Sequence, residues 1–248
     1  MTNTQKGTAY AMASTFASAI VILTGKSLLF TLDIYTFSFY WFGICSAYFI
    51  LADMRAGGRY MYKVPRKLLP LLILIGIIEA GSALTYFMAL KAIDPAFIAF
   101  FSNLMLISAP FFGIIFLKEK LTLIEIAGIV IAITGALIMT YEGGITINAG
   151  VILLFVSVLL FTVSTMLIKL NNSDISPFTF SGYRCIVVFA CATLIGIHTG
   201  GFNFSQHISI PVLLIGAFCG PLLSVVLYYY ALQYMDMTKV VLIRTTMP

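Results

Sequence analysis

The sequence predicts an all-α membrane fold made of two copies of one helical unit, and three observations carry that prediction. The first is composition: 61% of the 248 residues are hydrophobic and 9% are charged, with a mean hydropathy of +1.06. A soluble chain of this length needs far more polar surface, so the bilayer is the solvent for most of it. The second is a series of apolar stretches of spanning length, marked off by loops that hold charge, Gly or Pro. The third is an internal repeat. Residues 33–39 (DIYTFSF) recur as 174–180 (DISPFTF), a shift of 141, and residues 86–94 (YFMALKAID) recur as 228–236 (YYYALQYMD), a shift of 142. Two matches in nearly one register, each with an Asp, outweigh coincidence in a short apolar alphabet.

The stretches read in order as follows. Helix 1 covers 7–29; its apolar run continues past Ala17-Ser18-Ala19, where a signal peptide would be cut, and is long enough to span. Helix 2 covers 37–52, helix 3 68–90, helix 4 95–117 and helix 5 123–141. Helix 6 covers 149–168, helix 7 177–197 and helix 8 210–234, and helix 9 begins near Met237 and is cut off at Pro248.

Charge orients these helices. Nine Lys or Arg lie at the N-terminus and in the loops after helices 2, 4 and 6, whereas Lys26 and Lys91 mark the opposite face. The positive-inside rule therefore places the N-terminus in the cytoplasm, and the basic residues act as topology signals rather than as a nucleic-acid surface. Five helices make up the first unit, 1–145, so the second, incomplete unit, 146–248, enters from the other side and the repeat is inverted. The four cysteines form no CxxC pair, and nothing has metal-ligand spacing, so no cofactor is expected.

Three segments have a familiar pattern: Ala89-Leu90-Lys91-Ala92-Ile93-Asp94-Pro95-Ala96, then Lys118-Glu119-Lys120-Leu121-Thr122, then the glycine-bearing stretch from Ile126 to Ala136. Together they resemble the EamA-like branch of the drug/metabolite transporter superfamily. The family pattern at the second segment is Gly-Glu-Arg-Leu-Thr, and here Lys118 and Lys120 replace the Gly and the Arg. The resemblance implies an inverted repeat of five transmembrane helices each, ten in the full protein, of which about eight and a half are present here. It further implies export or exchange of a small metabolite, in a multi-pass protein of the cell (inner) membrane. An arginine that the family often carries in the second helix of each half matches Arg184, but its counterpart in the first half reads as Gly43.

An ionisable side chain deep in a spanning helix is expensive, so each one is a candidate for function. Glu79, Arg184 and Arg244 qualify. Glu79 has two readings: a carboxylate for a substrate amine or a coupled proton, or a partner that pairs with one arginine and holds the bundle together. Arg244 reads as a cation offered to an anionic or zwitterionic substrate, while the resemblance puts Arg184 on a packed helix face. Tyr86, two turns beyond Glu79, faces the same way, and Tyr228 is its partner in the repeat. Ser102 and Asn103 are the polar group of helix 4; they line a pore or hydrogen-bond a neighbouring helix at about 0.6 kcal/mol apiece. Trp41 reads as an interfacial anchor, and Lys26 and Lys169 read as snorkelling helix ends. Gly216 and Gly220 form a GxxxG, and Gly220-Pro221 predicts a kink.

No HExxH, GxSxG or Walker A sequence occurs, so an enzyme or an ATP-driven pump is not expected. The expectation is a secondary transporter for a small organic solute such as an amino acid or drug-like molecule, a monomer or homodimer in the lipid bilayer. Proton coupling would run through Glu79. The alternative is a non-transporting membrane subunit or a lipid-carrier flippase component.

Overall fold

The computed structural model describes residues 2–58, 60, 61, 64–94, 98, 105–142, 149–171 and 175–244. Their regular structure is helical: α1 (Asn3–Thr31), α2 (Ile34–Arg55), α3 (Leu69–Ala92, preceded by a 3₁₀ turn at Arg66–Leu68), α4 (Met105–Leu117) and α5 (Leu123–Glu142). The second half gives α6 (Ala149–Leu170), α7 (Pro177–Thr199), α8 (Ile210–Tyr234) and α9 (Met237–Arg244). Six of these, α1 to α3 and α6 to α8, are long and apolar enough to cross a membrane. Large apolar side chains remain outside, among them Phe16, Phe30, Leu123, Ile124 and Ile131, as expected where lipid rather than water is the outer solvent.

The helices pack across the two halves. α3 lies along α6, and α1 lies along α8; α2 packs on α7 and α8, and α3 packs on α7. α4 bridges α6 and α9, while α5 touches only the periphery, on α4 and α9. Apart from the contact of α5 with α9, the cross-half contacts thus have counterparts with the halves exchanged.

Polar contacts repeat the same symmetry. On one side Ser82 Oγ donates to the Ser157 carbonyl (3.0 Å) and Ser157 Oγ donates to the Ser82 carbonyl (2.9 Å). On the other, Ser14 Oγ donates to the Ser224 carbonyl (2.8 Å) and Ser224 Oγ to the Ser14 carbonyl (3.1 Å). Ser157 follows Ser14 by 143 positions and Ser224 follows Ser82 by 142. Small residues are needed here because two backbones must approach closely enough for each hydroxyl to reach the other chain's carbonyl.

Lys26 and Lys169 also correspond, and their role differs from the snorkelling that the sequence suggested. Lys26 Nζ donates to the carbonyls of Leu90 and Ile93 (both 2.8 Å), which end α3. Lys169 Nζ donates to the carbonyls of Leu232 and Met235 (2.5 and 2.7 Å), which end α8. A helix C-terminus has unpaired carbonyls and a partial negative charge, and an ammonium satisfies both. The lysines turn inward because those carbonyls offer a partner within the protein.

The caps correct the register of the repeat. Asp33 Oδ1 accepts from Thr36 N at the start of α2 (2.8 Å), and Ser176 Oγ accepts from Thr179 N at the start of α7 (3.1 Å). The structural counterpart of Asp33 is therefore Ser176, 143 positions on, and not the Asp174 that identity alone selected. Asp174 lies outside the described residues. In this register the counterpart of Arg184 is Trp41 rather than Gly43.

The loop after α4 shows why the family pattern has glycine at position 118. Lys118 adopts φ 55°, in the left-handed region, and lets the chain reverse so that the Glu119 carboxylate reaches the start of α9. Glu119 accepts from Met237 N (2.6 Å), Thr238 N (3.2 Å) and Thr238 Oγ1 (2.8 Å). Gly113 leaves room for it, since a Cβ there would stand 2.7 Å from Glu119 Oε2. A left-handed non-glycine residue costs about 1–2 kcal/mol. Lys118→Gly is expected to stabilise the fold by about 0.5–1 kcal/mol after the entropy of a freer unfolded chain is offset, read as a higher thermal midpoint in detergent. Lys169→Met is expected to destabilise it by about 1–3 kcal/mol, read as a lower midpoint, because it strips the α8 carbonyls of their donor; Lys26→Met does the same at α3.

Candidate functional site

A cavity of about 200 Å³ opens at the centre of the bundle, walled by α1, α2, α3, α6, α7, α8 and α9 with Met105 of α4 at its edge. Both halves contribute. Its apolar wall is aromatic, with Trp41, Phe42, Tyr86, Phe87 and Phe161, and its polar atoms include those of Ser18, Ser224, Arg184 and Arg244. The serine clamps between α3 and α6 and between α1 and α8 border it directly.

Glu79 and Arg184 meet at its wall. Arg184 Nε donates to Glu79 Oε2 at 2.7 Å, with the glutamate fully buried. Glu79 Oε1 accepts from Ser164 Oγ and from the Tyr229 hydroxyl (3.3 Å). Of the two readings of Glu79, the geometry is that of the pairing one: three donors from α6, α7 and α8 converge on one carboxylate of α3. Glu79 stands behind the cavity wall rather than in it, although Tyr86, on the same helix, lines the cavity. Seven residues set the two side chains on nearly one face, but the partners of Glu79 draw it away. Arg184 does line the cavity, with its Cζ 6.0 Å from the centre of the Phe42 ring and its Nη1 buried without a hydrogen-bond partner.

The counterpart of this pair, with the halves exchanged, holds different chemistry. Pro221, 142 positions after Glu79, sits in a π-helical turn of α8 (Phe218–Val225), where Gly220 has φ −76° and ψ −107°. This is the kink that Gly220-Pro221 predicts. Trp41, the counterpart of Arg184, lies against it: a Cβ built on Gly220 would stand 3.3 Å from Trp41 Cζ2, and one on Gly216 would collide with the same ring. Trp41 is 1% exposed, so it is a wall of the cavity and not an interfacial anchor. Its ring is tilted against Phe37 and meets Phe87 edge to face, with centroids 5.0 and 6.0 Å apart. The GxxxG of α8 serves this contact.

Arg244 projects into the cavity from α9. Its Nη2 donates to Ser18 Oγ (3.0 Å), and its Cζ lies 4.7 Å from the centre of the Tyr228 ring. No carboxylate lies within ion-pair distance of it among the described residues. Tyr228 is fully buried, stacked on Phe161 with centroids 5.7 Å apart, and forms the layer behind Arg244. Ser102 and Asn103 lie outside the described residues. Sequence reasoning missed Tyr229, Ser164, Ser18 and Trp41 as members of this constellation. Of the run Tyr228-Tyr229-Tyr230, the first two rings are fully buried.

The family model for EamA-like transporters matches residues 5–141 and again 148–248. The chain belongs to that family. A Sinorhizobium protein named as an uncharacterized transporter in the cobO 3' region is 35% identical over 92 residues, which is 36% of this chain and 65% of that protein. The chain thus spans just under two thirds of the relative's length. A solved crystal structure superposes with a TM-score of 0.71 at 19% identity, over 99% of this chain and 84% of the other. That likeness shows the fold. The protein is a multi-pass membrane protein of the drug/metabolite transporter superfamily.

The pairing at Glu79 has a measurable consequence. Glu79→Ala leaves a buried arginine without its counter-charge and is expected to destabilise the EamA-family fold by about 3–5 kcal/mol. The double variant Glu79→Leu with Arg184→Leu is expected to recover much of that loss, because it removes both buried charges together. Thermal unfolding of the purified single and double variants in detergent checks this.

Proposed function

We propose that this protein is a secondary transporter that exports or exchanges a small organic solute by alternating access, with the central cavity as its binding chamber. One observation carries the reading: the cavity is built by both halves, so any movement of one half against the other changes which side reaches it. The halves are taken as 1–145 and 146–248, inverted with respect to each other. The N-terminus is placed in the cytoplasm of an inner-membrane protein by the bias of Lys and Arg.

The roles follow from position. Arg244, Tyr86 and Arg184 face the solute. Tyr228 backs Arg244, and Glu79 positions Arg184. Ser102 and Asn103 are kept as candidates on helix 4, which is the repeat counterpart of α9. The kink at Gly220-Pro221 gives α8 a point of flexure beside the chamber, because the proline removes a backbone hydrogen bond there. The lysine caps hold the ends of α3 and α8 to α1 and α6, so each half moves as a unit around the cross-half serine contacts. Proton coupling through Glu79 requires the Arg184 pair to open during the cycle. No resident cofactor or catalytic step is assigned.

Proteoliposomes that hold the purified protein are expected to exchange a labelled solute across the bilayer. Arg244→Ala is expected to lower the rate at least tenfold while insertion and thermal midpoint stay near wild type, since Arg244 holds no ion pair among the described residues. Unchanged exchange in that variant overturns the site assignment. A pH dependence of exchange that survives Glu79→Gln rules out Glu79 as the proton carrier.

A further inference from the structure

The cavity carries one net positive charge, and this narrows what it takes. Nine carboxylates occur in the chain. By sequence position, eight of them (Asp33, Asp53, Asp94, Glu119, Glu125, Glu142, Asp174 and Asp236) lie in loops or in the terminal turns of helices. Glu79 alone sits at mid-span, and it is committed to Arg184 at 2.7 Å. The Arg184 charge is therefore balanced, while Arg244 meets a hydroxyl and an aromatic face instead of a carboxylate. A guanidinium held in a low-dielectric wall by a serine and a ring still lacks a full counter-charge. Two further groups nearby have spare capacity. Tyr86, on the cavity wall, makes no side-chain hydrogen bond to a described residue, and Arg184 Nη1 is a buried donor without a partner.

Apart from Ser18, Ser82, Ser157 and Ser224, the remainder of the described wall is apolar. Trp41, Phe42, Phe87 and Phe161 surround a space of about 200 Å³. This is somewhat larger than the roughly 150 Å³ apolar cavity that admits benzene. The space suits a ring or a short branched chain with one small polar head. Among the described residues, a multiply charged solute such as a phosphate ester lacks a second free cation here, and a solute with an ammonium group lacks a free carboxylate.

We propose that the chamber takes a small organic monoanion with an apolar, ring-sized body, its acid group held by Arg244 and its body against Trp41, Phe42 and Phe87. This rests on the chamber being the solute site proposed above, and the two are separable by experiment. The probes are benzoate, phenylacetate and 3-phenylpropanoate, each beside its neutral amide, with benzylamine and phenylalanine as the cationic and zwitterionic controls. Binding is read from the saturable rise in thermal midpoint of the purified wild-type protein in detergent. At least one carboxylate is expected to bind tenfold or more tightly than its own amide and than both controls.

The wild-type comparison needs no variant to fold. As a second measurement, Arg244→Gln is expected to weaken that carboxylate about tenfold to a hundredfold, as loss of a charge-assisted hydrogen bond implies, with Arg244→Lys between the two. No carboxylate binding above its amide, or stronger binding of benzylamine or phenylalanine, overturns the proposal. Carboxylate binding that Arg244→Gln leaves unchanged overturns the assignment to Arg244. Counterflow of the same labelled solutes in proteoliposomes separates the two readings. Selective binding without movement across the bilayer defeats the transport reading and leaves the anion site standing. Movement of amines or zwitterions alone does the reverse.

Discussion

A bilayer offers no water to a buried polar group, so each must find its partner inside the protein or line a wet space. Most of the internal order of this protein follows from that single constraint. Its clearest product is the Glu79–Arg184 pair, which joins α3 of the first half to α7 of the second and recruits Tyr229 from α8 and Ser164 from α6. A lone carboxylate at that depth would be untenable. With four elements supplying donors and charge around one residue, the wall of the chamber is set by a polar cluster rather than by apolar packing, which lipid tails satisfy equally well.

The same demand explains why the polar contacts come in symmetric pairs. Reciprocal serine bonds join α3 to α6 and α1 to α8, and the two lysines tie the ends of α3 and α8. These contacts persist in both copies because each one satisfies backbone groups that every copy of the unit exposes. The centre of the site has diverged instead. Where one cross-half contact sets Arg184 against Glu79, its counterpart sets Trp41 against the Gly220-Pro221 kink. One side of the chamber is thus a charged wall and the other an aromatic wall against a kinked helix, a difference that suits a chamber with a preferred solute orientation.

Much of this was legible in the chain. The helix positions, the duplication, the kink and the exposure of the chain to lipid all follow from local pattern, because helix length and hydropathy are properties of short segments. The depth of Glu79, Arg184 and Arg244 was legible too. The partners were not. Trp41 reads as an interfacial anchor until α8 is seen to press two glycines against it, and Lys26 reads as a snorkelling end until the carbonyls of Leu90 and Ile93 are in reach. The repeat register failed by two residues at α2 and α7 because identity favoured an Asp-to-Asp match, whereas the cap geometry selects Ser176.

By itself, then, the sequence determined that this is an inverted-repeat membrane protein of the EamA-like transporter family, which helices it contains and which ionisable groups lie within them. The helices and their charges follow from composition and periodicity counted along the chain, and the family from a resemblance in the motifs at 89–96, 118–122 and 126–136. Only the tertiary structure decided how the charges are shared. Glu79 is within reach of several side chains in principle, and the crossing of α3 with α7 assigns it to Arg184 while leaving Arg244 over Tyr228. An ion pair is a matter of a few ångströms between elements about a hundred residues apart, and nothing in local sequence encodes that distance.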